Sequence, residues 1–457
     1  MNNLKVGYSK VNVTPPLGIG ISGYYIPRYA KGVLDELEII TLALSCNGKD
    51  IALISVPFCG IAKLTERYLE SIEKATGINR ANIFMSATHT HTNALLEETD
   101  HFKASEEDMV IINKYADFVE TRLIDGVKLA FADLKNAKMG YIVGKAPDRI
   151  AYIRRYKMKD GSTFTCPPIN DPNIDYPIGT LDQRVNVVRF DREGADTVVM
   201  YNYGLHADTV NGEMLSSDWP GWTNLTLEKA LDGVKGIFFN GAEGDVGSTN
   251  VHPKDGDMND TEISFDNEMK SPGMARFVGR AVAGTILQVY DKVKYVDVDD
   301  IDIVRKDLLV PANVPTPEQM PQAREFVRLH DAGRDDLIPY KAMQLTTVVA
   351  EAYRMVRLEH GPENFKVNLT GVKIGEVAMV GIPGEPFTDI GVGIKQAEGW
   401  GMIMPCCLTN GSIGYFPMQS AYDEGGYEAK TSQFKAGVAE RIIAGGVELL
   451  NQMRDKK

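Results

Sequence analysis

Short apolar runs rich in valine, isoleucine and phenylalanine alternate along this chain with longer segments that carry apolar residues at three- and four-residue spacing. Short runs of this kind, bounded by turn-forming residues, are typical of buried β-strands. We therefore predict strands at 38–46, 51–57, 82–88, 138–144, 185–191, 197–203, 235–240, 296–309, 367–374, 377–382 and 402–409.

The segments with helical spacing predict amphipathic helices at 105–134, 265–293, 317–333, 339–359 and 432–453. Strands that alternate with helices indicate an α/β protein in which mixed sheets are covered by helices. We treat residues 1–457 as a single catalytic domain with a helical insertion around 311–363. Two irregular stretches, 147–181 and 252–262, are predicted to be surface loops, either ordered covers of a site or plain disorder.

The composition is that of an ordinary globular protein, with 457 residues of which 44% are hydrophobic and 24% are charged. The net charge of −13 argues against nucleic acids and anionic membranes as partners. Because no window approaches about 18 uninterrupted apolar residues, we expect no membrane span. The N-terminus shows no signal-peptide pattern, and the 5 cysteines are scattered and odd in number. These features predict a cytoplasmic protein, with a trimmed secreted or periplasmic chain as the alternative.

The densest chemical signal is the segment 86–93, Ser-Ala-Thr-His-Thr-His-Thr-Asn, which directly follows a predicted strand. If the strand continues, its period of two places His89 and His91 on the same face; if it has already turned into a loop, the two still lie close together. A role in capping that loop by hydrogen bonds is the competing interpretation. A third histidine, His206, follows the run 197–203 in the same way. Open α/β sheets gather their ligands at the carboxyl ends of strands, which favours a functional role.

Further polar residues follow other strand-like runs. The glycine-punctuated turn 240–248 holds Glu243 and Asp245, Glu385 follows the run 377–382, and Asn410 follows the run 402–408. Two or three neutral imidazoles with one carboxylate are the ligand set of a catalytic zinc that keeps one position open for water. We expect solvated or structural roles for the four remaining histidines, which are His101, His252, His330 and His360.

The commonest catalytic motifs do not occur in the chain. It has no His-Glu-x-x-His, no Gly-x-Ser-x-Gly and no Walker loop. One Gly-x-Gly-x-x-Gly is present at 18–23, but the residues after it do not form the helix that a dinucleotide site requires, so we interpret it as a loop. Spacing alone therefore points to a metal hydrolase.

At these residues the chain resembles the neutral/alkaline non-lysosomal ceramidase family. The resemblance spans nearly the whole chain in the family's order, and it is carried by 7–16 (Gly-Tyr-Ser-Lys-Val-Asn-Val-Thr-Pro-Pro), 22–24, 86–91 (Ser-Ala-Thr-His-Thr-His), His206, 244–246, 384–385, 410–415 and 427–428. It implies a neutral-ceramidase-like catalytic domain that binds one zinc ion per chain. In such enzymes zinc is held by the first histidine of Thr-His-Thr-His, a later histidine, a glutamate and a tyrosine, which are here His89, His206, Glu385 and Tyr415.

The resemblance also implies which side chains act on the substrate. His91 would handle a proton beside the zinc-bound water, and Tyr427 would help to bind the scissile amide. Arg154 would approach the substrate carbonyl, although the neighbouring Arg155 leaves the register open. Donors of this kind stabilise an oxyanion as its charge develops.

The glycine-rich turn departs from the family pattern. The resemblance assigns a catalytic role to Asp245 and substrate contacts to Gly247, Ser248 and Asn410. The family turn Gly-Asp-x-Ser-Pro-Asn reads Gly-Asp-Val-Gly-Ser-Thr-Asn over 244–250, so Gly247 stands at the family serine and a serine nucleophile is disfavoured. From the same resemblance we expect a catalytic domain without the immunoglobulin-like C-terminal domain of secreted ceramidases.

The lead hypothesis is a zinc hydrolase that cleaves an amide (N-acyl) bond in a small soluble molecule. The alternatives are a true ceramidase, an ester or lactone hydrolase, and an inactive metal-binding protein. A ceramide site needs a long apolar groove, whereas a soluble substrate needs the polar groups that are abundant in 147–182 and 252–262.

Overall fold

The protein is described by a computed structural model that covers residues 3–99 and 102–455, so His101 lies outside the described residues. The architecture is α/β with mixed sheets, which confirms the predicted class. Within these ranges the largest sheet has nine strands, ordered β14-β12-β11-β6-β1-β3-β4-β5, with β18 also paired to β6. They are β1 (Lys5–Asn12), β3 (Glu38–Cys46), β4 (Lys49–Val56), β5 (Ile83–Ala87), β6 (Lys135–Lys145), β11 (Arg184–Arg192), β12 (Thr197–Tyr203), β14 (Val234–Asn240) and β18 (Lys294–Val296).

A second sheet follows in the C-terminal part, and small strand pairs join the loops. The second sheet contains β19 (Ile301–Pro311), β20 (Asn364–Ile374), β21 (Val377–Gly381) and β23 (Met402–Cys406). The short strands are β2 (Gly32–Val33), β7 (Tyr152–Ile153), β8 (Arg155–Met158), β9 (Thr163–Thr165), β10 (Ile174–Pro177), β13 (Met214–Leu215), β15 (Val246–Gly247), β16 (Glu262–Ile263), β17 (Met269–Lys270), β22 (Glu385–Pro386) and β24 (Tyr415–Phe416).

Helices cover the sheets. Helix α2 packs on β1 and β3, α3 on β14, α4 on β6 and β11, and α10 on β19 and β20. The α-helices are α1 (Thr65–Thr76), α2 (Glu106–Ala132), α3 (Asp218–Ala230), α4 (Pro272–Val289), α5 (Met320–Asp331), α6 (Ala342–Leu358), α7 (Thr388–Ile394), α8 (Gln419–Glu424), α9 (Tyr427–Thr431) and α10 (Val438–Asp455). None of the helices in the described part of the chain is both long and apolar enough to cross a bilayer.

The two ends of the large sheet meet around a shared core. The rings of Phe84 on β5 and Phe239 on β14 lie 5.7 Å apart. The Ser55 hydroxyl on β4 donates to the carbonyl of Phe238 at 2.6 Å. Met379 and Met404 of the second sheet belong to the same buried cluster. Because the parallel pairs β4–β5, β12–β14 and β21–β23 converge on this core, their carboxyl ends emerge close together.

Most predicted strands are confirmed, and the errors have local causes. The predicted strand 296–309 is two strands, since three of the four intervening residues, Asp297, Asp299 and Asp300, are aspartates and the segment forms no ladder. The predicted helix 265–293 begins only at Pro272, because Ser271 caps it by accepting from the N–H of Met274 at 3.0 Å. Strand β1, helices α1, α3, α7, α8 and α9 and the short strands were not predicted.

The stretch 147–181 is more ordered than a surface loop. It contains β7 and the small sheet β10-β8-β9, and β7 pairs with β15 of the glycine-rich turn. This pairing brings the Arg154 backbone N–H to the Asp245 carbonyl at 3.0 Å. The stretch 252–262 is mostly turns. Helices α5 and α6 lie between the paired strands β19 and β20, where the helical insertion was expected.

Candidate functional site

Three of the four predicted zinc ligands lie just beyond the carboxyl ends of strands, and the fourth, Tyr415, lies in the short strand β24. His89 follows β5 with a left-handed backbone, φ +70°, an uncommon conformation that often marks functional positions. His206 follows β12, and Glu385 follows β21. Glu385 and Tyr415 are direct partners in the parallel pair β22–β24. The topology therefore brings together side chains from four separate parts of the sequence.

Backbone carbonyls orient both histidines. Nδ1 of His89 lies 2.7 Å from the carbonyl of Cys59. Nδ1 of His206 lies 2.9 Å from the carbonyl of Glu243 and 3.1 Å from that of Val246. Because a carbonyl can only accept, both Nδ1 atoms carry hydrogen, and the Nε2 atoms present lone pairs.

The lone pairs converge on a carboxylate that lacks a donor. Oε2 of Glu385 lies 3.3 Å from Nε2 of His89 and 3.4 Å from Nε2 of His206. This buried oxygen has no hydrogen-bond partner among the described residues. Converging acceptors of this kind are stabilised by a cation, and the described side chains supply a donor, Arg154, to Nε2 of His206 but none to Oε2 of Glu385. The donor set, two imidazoles and a carboxylate, fits zinc.

The pKa shifts agree with this arrangement. Burial alone would raise the pKa of Glu385, but His89 and His206 outweigh burial and lower it well below its usual range. Burial would likewise lower the pKa of His89, yet the acidic groups of Cys59, Glu385 and Glu243 raise it well above the usual value. Both shifts reflect the strong interaction of the Glu385 carboxylate with the two imidazoles at this short distance.

Arg154, and not the neighbouring Arg155, contacts two of the predicted zinc ligands. Its Nη1 donates to Nε2 of His206 at 3.3 Å, and its Nη2 donates to the Tyr415 hydroxyl at 3.1 Å. Its Nε donates to Glu428 at 2.8 Å, so a fully buried carboxylate holds the guanidinium in place. Arg155 turns away, since its Nη2 donates to Glu424 at 3.0 Å.

His91 and Tyr427 complete the polar wall around the ligands. Nε2 of His91 lies 3.2 Å from Nε2 of His89. The Tyr427 ring meets the Tyr415 ring edge-on with centroids 5.6 Å apart. Burial raises the pKa of the Tyr427 hydroxyl well above its usual value, so it stays protonated and can donate a hydrogen bond.

These groups open into a cavity of about 560 Å³. Glu385, Tyr415 and the two histidines of 86–93 lie at its base. Among its other lining residues are Tyr25, Cys59, Leu95, Glu97, Arg357 of α6, Phe365 and Gln433. The cavity is large enough for a small organic substrate and combines apolar walls with charged groups.

Comparisons with known proteins identify the fold. No protein-family model matches the chain, and no curated protein matches it in sequence. The structure superposes on that of the neutral ceramidase from Pseudomonas aeruginosa with a TM-score of 0.71 at 15% identity, covering 99% of this chain and 75% of that chain. The chain has the neutral ceramidase fold. A structure of a ceramidase complexed with C2 gives a TM-score of 0.70 at 14% identity, covering 99% of this chain and 76% of that chain.

In this neutral-ceramidase-like fold, Asp245 and Gly247 belong to the turn that supports the ligands. Oδ1 of Asp245 accepts from the N–H and the hydroxyl of Thr388, both at 2.8 Å. Burial raises the pKa of Asp245 to about 6. Gly247 lies in β15, where an added Cβ would make only ordinary contacts with Glu268 and Arg154. Asp245 thus anchors the turn to α7.

Neither Ser248 nor Asn410, both predicted to contact the substrate, is among the residues that line the cavity at Glu385. Ser248 lines a second cavity of about 710 Å³ together with Tyr152 and Arg276. The Asn410 side chain accepts from the Met85 N–H at 3.0 Å and donates to the Ile83 carbonyl at 3.1 Å. Its amide therefore ties the turn after β23 to β5.

The sequence analysis named Glu243 without giving it a role, and it overlooked the half-buried Cys59 and the buried pair Asp208–Lys270. Glu243, which is fully buried, places Oε2 2.6 Å from Nδ1 of His206. Cys59 has its Sγ 3.7 Å from Nδ1 of His89. Asp208 pairs with the fully buried Lys270 at 2.6 Å. The position of Glu243 in the same turn as Asp245 was a signal for it, whereas nothing in the local sequence marks Lys270.

Proposed function

We propose that this protein is a zinc-dependent hydrolase that cleaves an amide bond of an N-acyl substrate. The observation that carries the proposal is the convergence of two imidazole lone pairs and the unpaired Oε2 of Glu385 at the base of a cavity. His89, His206, Glu385 and Tyr415 would hold the ion. Zinc, when bound, supplies Lewis acidity that polarises a carbonyl group and lowers the pKa of water.

The side chains around the ligands would move the proton and stabilise charge. His91 offers Nε2 beside His89, where it takes a proton from the attacking water and returns it to the leaving amine. Arg154 and the protonated Tyr427 donate hydrogen bonds to the oxygen of the substrate carbonyl as its negative charge develops. Glu428 holds Arg154 in the orientation that this requires.

The lining of the cavity favours a small soluble substrate. Glu97, Arg357 and Gln433 give it charged and polar walls, which suit a polar acyl or amine portion better than two long alkyl chains. A true ceramidase is the second candidate, because the solved structures that share the fold are ceramidases. An ester or lactone could be cleaved by the same groups.

The test combines metal analysis with hydrolysis. Purified wild type, His89→Ala and Glu385→Ala are compared by elemental analysis, with the exposed His360→Ala as the matched control. The same samples are assayed on N-acyl amino acids, short-chain esters, lactones and detergent-solubilised ceramide. We expect one zinc per chain in wild type and in His360→Ala, and loss of zinc and turnover in the other two variants.

The outcomes separate the candidates. Turnover of ceramide but of no soluble amide would favour the true ceramidase. Stoichiometric zinc without turnover of any substrate would favour an inactive metal-binding protein. Wild type that neither contains nor takes up zinc would overturn the zinc mechanism.

A further inference from the structure

His91 differs from the two histidines beside it in what holds its ring. Its Nδ1 is buried and has no hydrogen-bond partner among residues 3–99 and 102–455. The nearest carboxylate oxygen is Oδ2 of Asp208, at 3.6 Å. The ring lies against Gly23, where a Cβ would come within 2.7 Å of Cγ and Nδ1, and where φ is +100°. Only glycine fits there without displacing the imidazole.

Asp208 is itself anchored through both carboxylate oxygens. Oδ1 accepts from the Tyr24 hydroxyl at 2.7 Å, and Oδ2 accepts from Nζ of Lys270 at 2.6 Å. Lys270 also pairs with Asp266 at 2.9 Å and Glu268 at 3.0 Å. Three carboxyl groups surround one ammonium, and Asp208 is the member that faces His91. Burial raises the pKa of Asp208 to about 7 against the opposing effect of Lys270, so Asp208 is charged above that pH.

We propose that Asp208 is a positioning residue for His91, holding hydrogen on Nδ1 and leaving the Nε2 lone pair directed at the zinc ligands. The inference rests on the proposed function, in which His91 transfers a proton through Nε2. A distance of 3.6 Å exceeds a hydrogen bond, so the attraction is electrostatic, and a shift of a few tenths of an ångström would bring the pair within range.

The chemistry of the three histidines supports this assignment. The Nδ1 atoms of His89 and His206 lie within hydrogen-bond distance of backbone carbonyls, and His206 also has Oε2 of Glu243 at 2.6 Å, whereas Nδ1 of His91 faces a carboxylate and no carbonyl partner. A carboxylate at Nδ1 does more, because it also stabilises the imidazolium that forms when Nε2 accepts a proton. His91, the group proposed to change its charge, is the histidine of the three that faces Asp208.

The test compares Asp208→Asn with Asp266→Asn. Both substitutions remove one carboxylate from Lys270, and so they perturb the ion cluster alike, but only the first removes the charge that faces His91. Asp208→Asn should lower kcat by about 100-fold or more with KM and zinc content unchanged, whereas Asp266→Asn should change kcat by less than about threefold. Asp208→Glu, which restores the charge, should have a kcat at least about tenfold higher than that of Asp208→Asn.

A spectroscopic readout tests the proposal without activity. Nitrogen-15 NMR of histidine-labelled protein, with the His91 signals assigned from a His91→Gln variant, reports which ring nitrogen bears hydrogen. We expect hydrogen on Nδ1 in wild type and Asp266→Asn, and a shift of the population towards Nε2 in Asp208→Asn.

The two failures can be told apart. If wild type hydrolyses none of the substrates, the proposed function fails, and the NMR comparison alone decides the placement of the hydrogen. If wild type is active but Asp208→Asn keeps both kcat and the Nδ1 hydrogen, the positioning proposal is overturned. Should Asp208→Asn not fold, hydrogen found on Nε2 of His91 in wild type would overturn it equally.

Discussion

Two clusters of buried ionisable side chains face the two ring nitrogens of His91, and they are neutralised in opposite ways. On the Nε2 side, His89, His206, Glu243 and Glu385 have ligand atoms that lie within 4.8 Å of one another. On the Nδ1 side, Asp208, Asp266 and Glu268 meet the same criterion. Both clusters could hold a metal ion by proximity alone. In the first cluster Arg154 donates to Nε2 of His206 but leaves Oε2 of Glu385 without a donor, whereas in the second all three carboxylates contact one cation of the chain.

That cation is the ammonium of Lys270, which is fully buried. Burial alone would lower its pKa, but the three carboxylates outweigh burial and raise the pKa well above its usual value. In the first cluster the Oε2 of Glu385 has no donor. The difference teaches that a group of acceptors is a candidate metal site when the fold provides no cation of its own to fill it.

The largest expected effect comes from removing the internal cation. Lys270→Met would leave three buried carboxylates without compensation, and we expect a loss of about 3–5 kcal/mol in the free energy of unfolding. Urea denaturation followed by circular dichroism measures it. A loss below about 1 kcal/mol would show that Lys270 is not the charge that neutralises the second cluster. The proposed difference between the two clusters would then be wrong.

The next largest effect on stability is expected from the binding of zinc to the first cluster. Zinc added to metal-stripped wild type at about 100 times its dissociation constant should raise the free energy of unfolding by about 2.7 kcal/mol. The gain should disappear in Glu385→Ala and persist in Asp266→Asn, because the second cluster already holds Lys270. Equal stabilisation of Glu385→Ala would place the zinc outside the first cluster.

Glu243 should tune the affinity for the ion. Its carboxylate lies 2.6 Å from Nδ1 of His206, the arrangement in which an outer carboxylate orients a ligand histidine and raises its basicity. We expect Glu243→Gln to weaken zinc binding about 10- to 100-fold in a competition titration with a fluorescent chelator.

A neighbouring carboxylate provides the control for Glu243. Asp245→Asn, two residues away in the same turn, should keep zinc affinity within about threefold, because Asp245 bonds to Thr388 rather than to a histidine. Equal losses in the two variants would show that the turn as a whole, and not the Glu243 carboxylate, supports His206.

The sequence was sufficient to predict much of the first cluster and none of the second. His89, His206 and Glu385 each follow a recognisable apolar strand, and carboxyl ends of neighbouring parallel strands meet at one edge. The resemblance added Tyr415, which the two-residue pair β22–β24 then places beside Glu385. Each of these residues could be recognised from its local sequence, and the fold of the sheet places them close together.

The rest depends on contacts that local patterns do not encode. Lys270 lies 62 residues from Asp208, in a short strand within a polar stretch that was predicted to be helical. The choice between Arg154 and Arg155 was decided by the pairing of β7 with the glycine-rich turn. Neither the strand nor its partner is long enough to produce a periodic signal.

The smallest effect is expected where a similar ion cluster lies near the surface. Lys10 pairs with Glu38 at 3.2 Å and with Glu228 at 3.5 Å, a lysine between two carboxylates, but its side chain is 30% exposed. Water solvates these charges in the folded protein as it does in the unfolded chain, so the ion pairs contribute little. We expect Lys10→Met to lower the free energy of unfolding by about 1 kcal/mol or less in the urea experiment used for Lys270→Met. If the two variants lost equal stability, the number of charges would matter more than their burial, and the large effect at Lys270 would need another explanation.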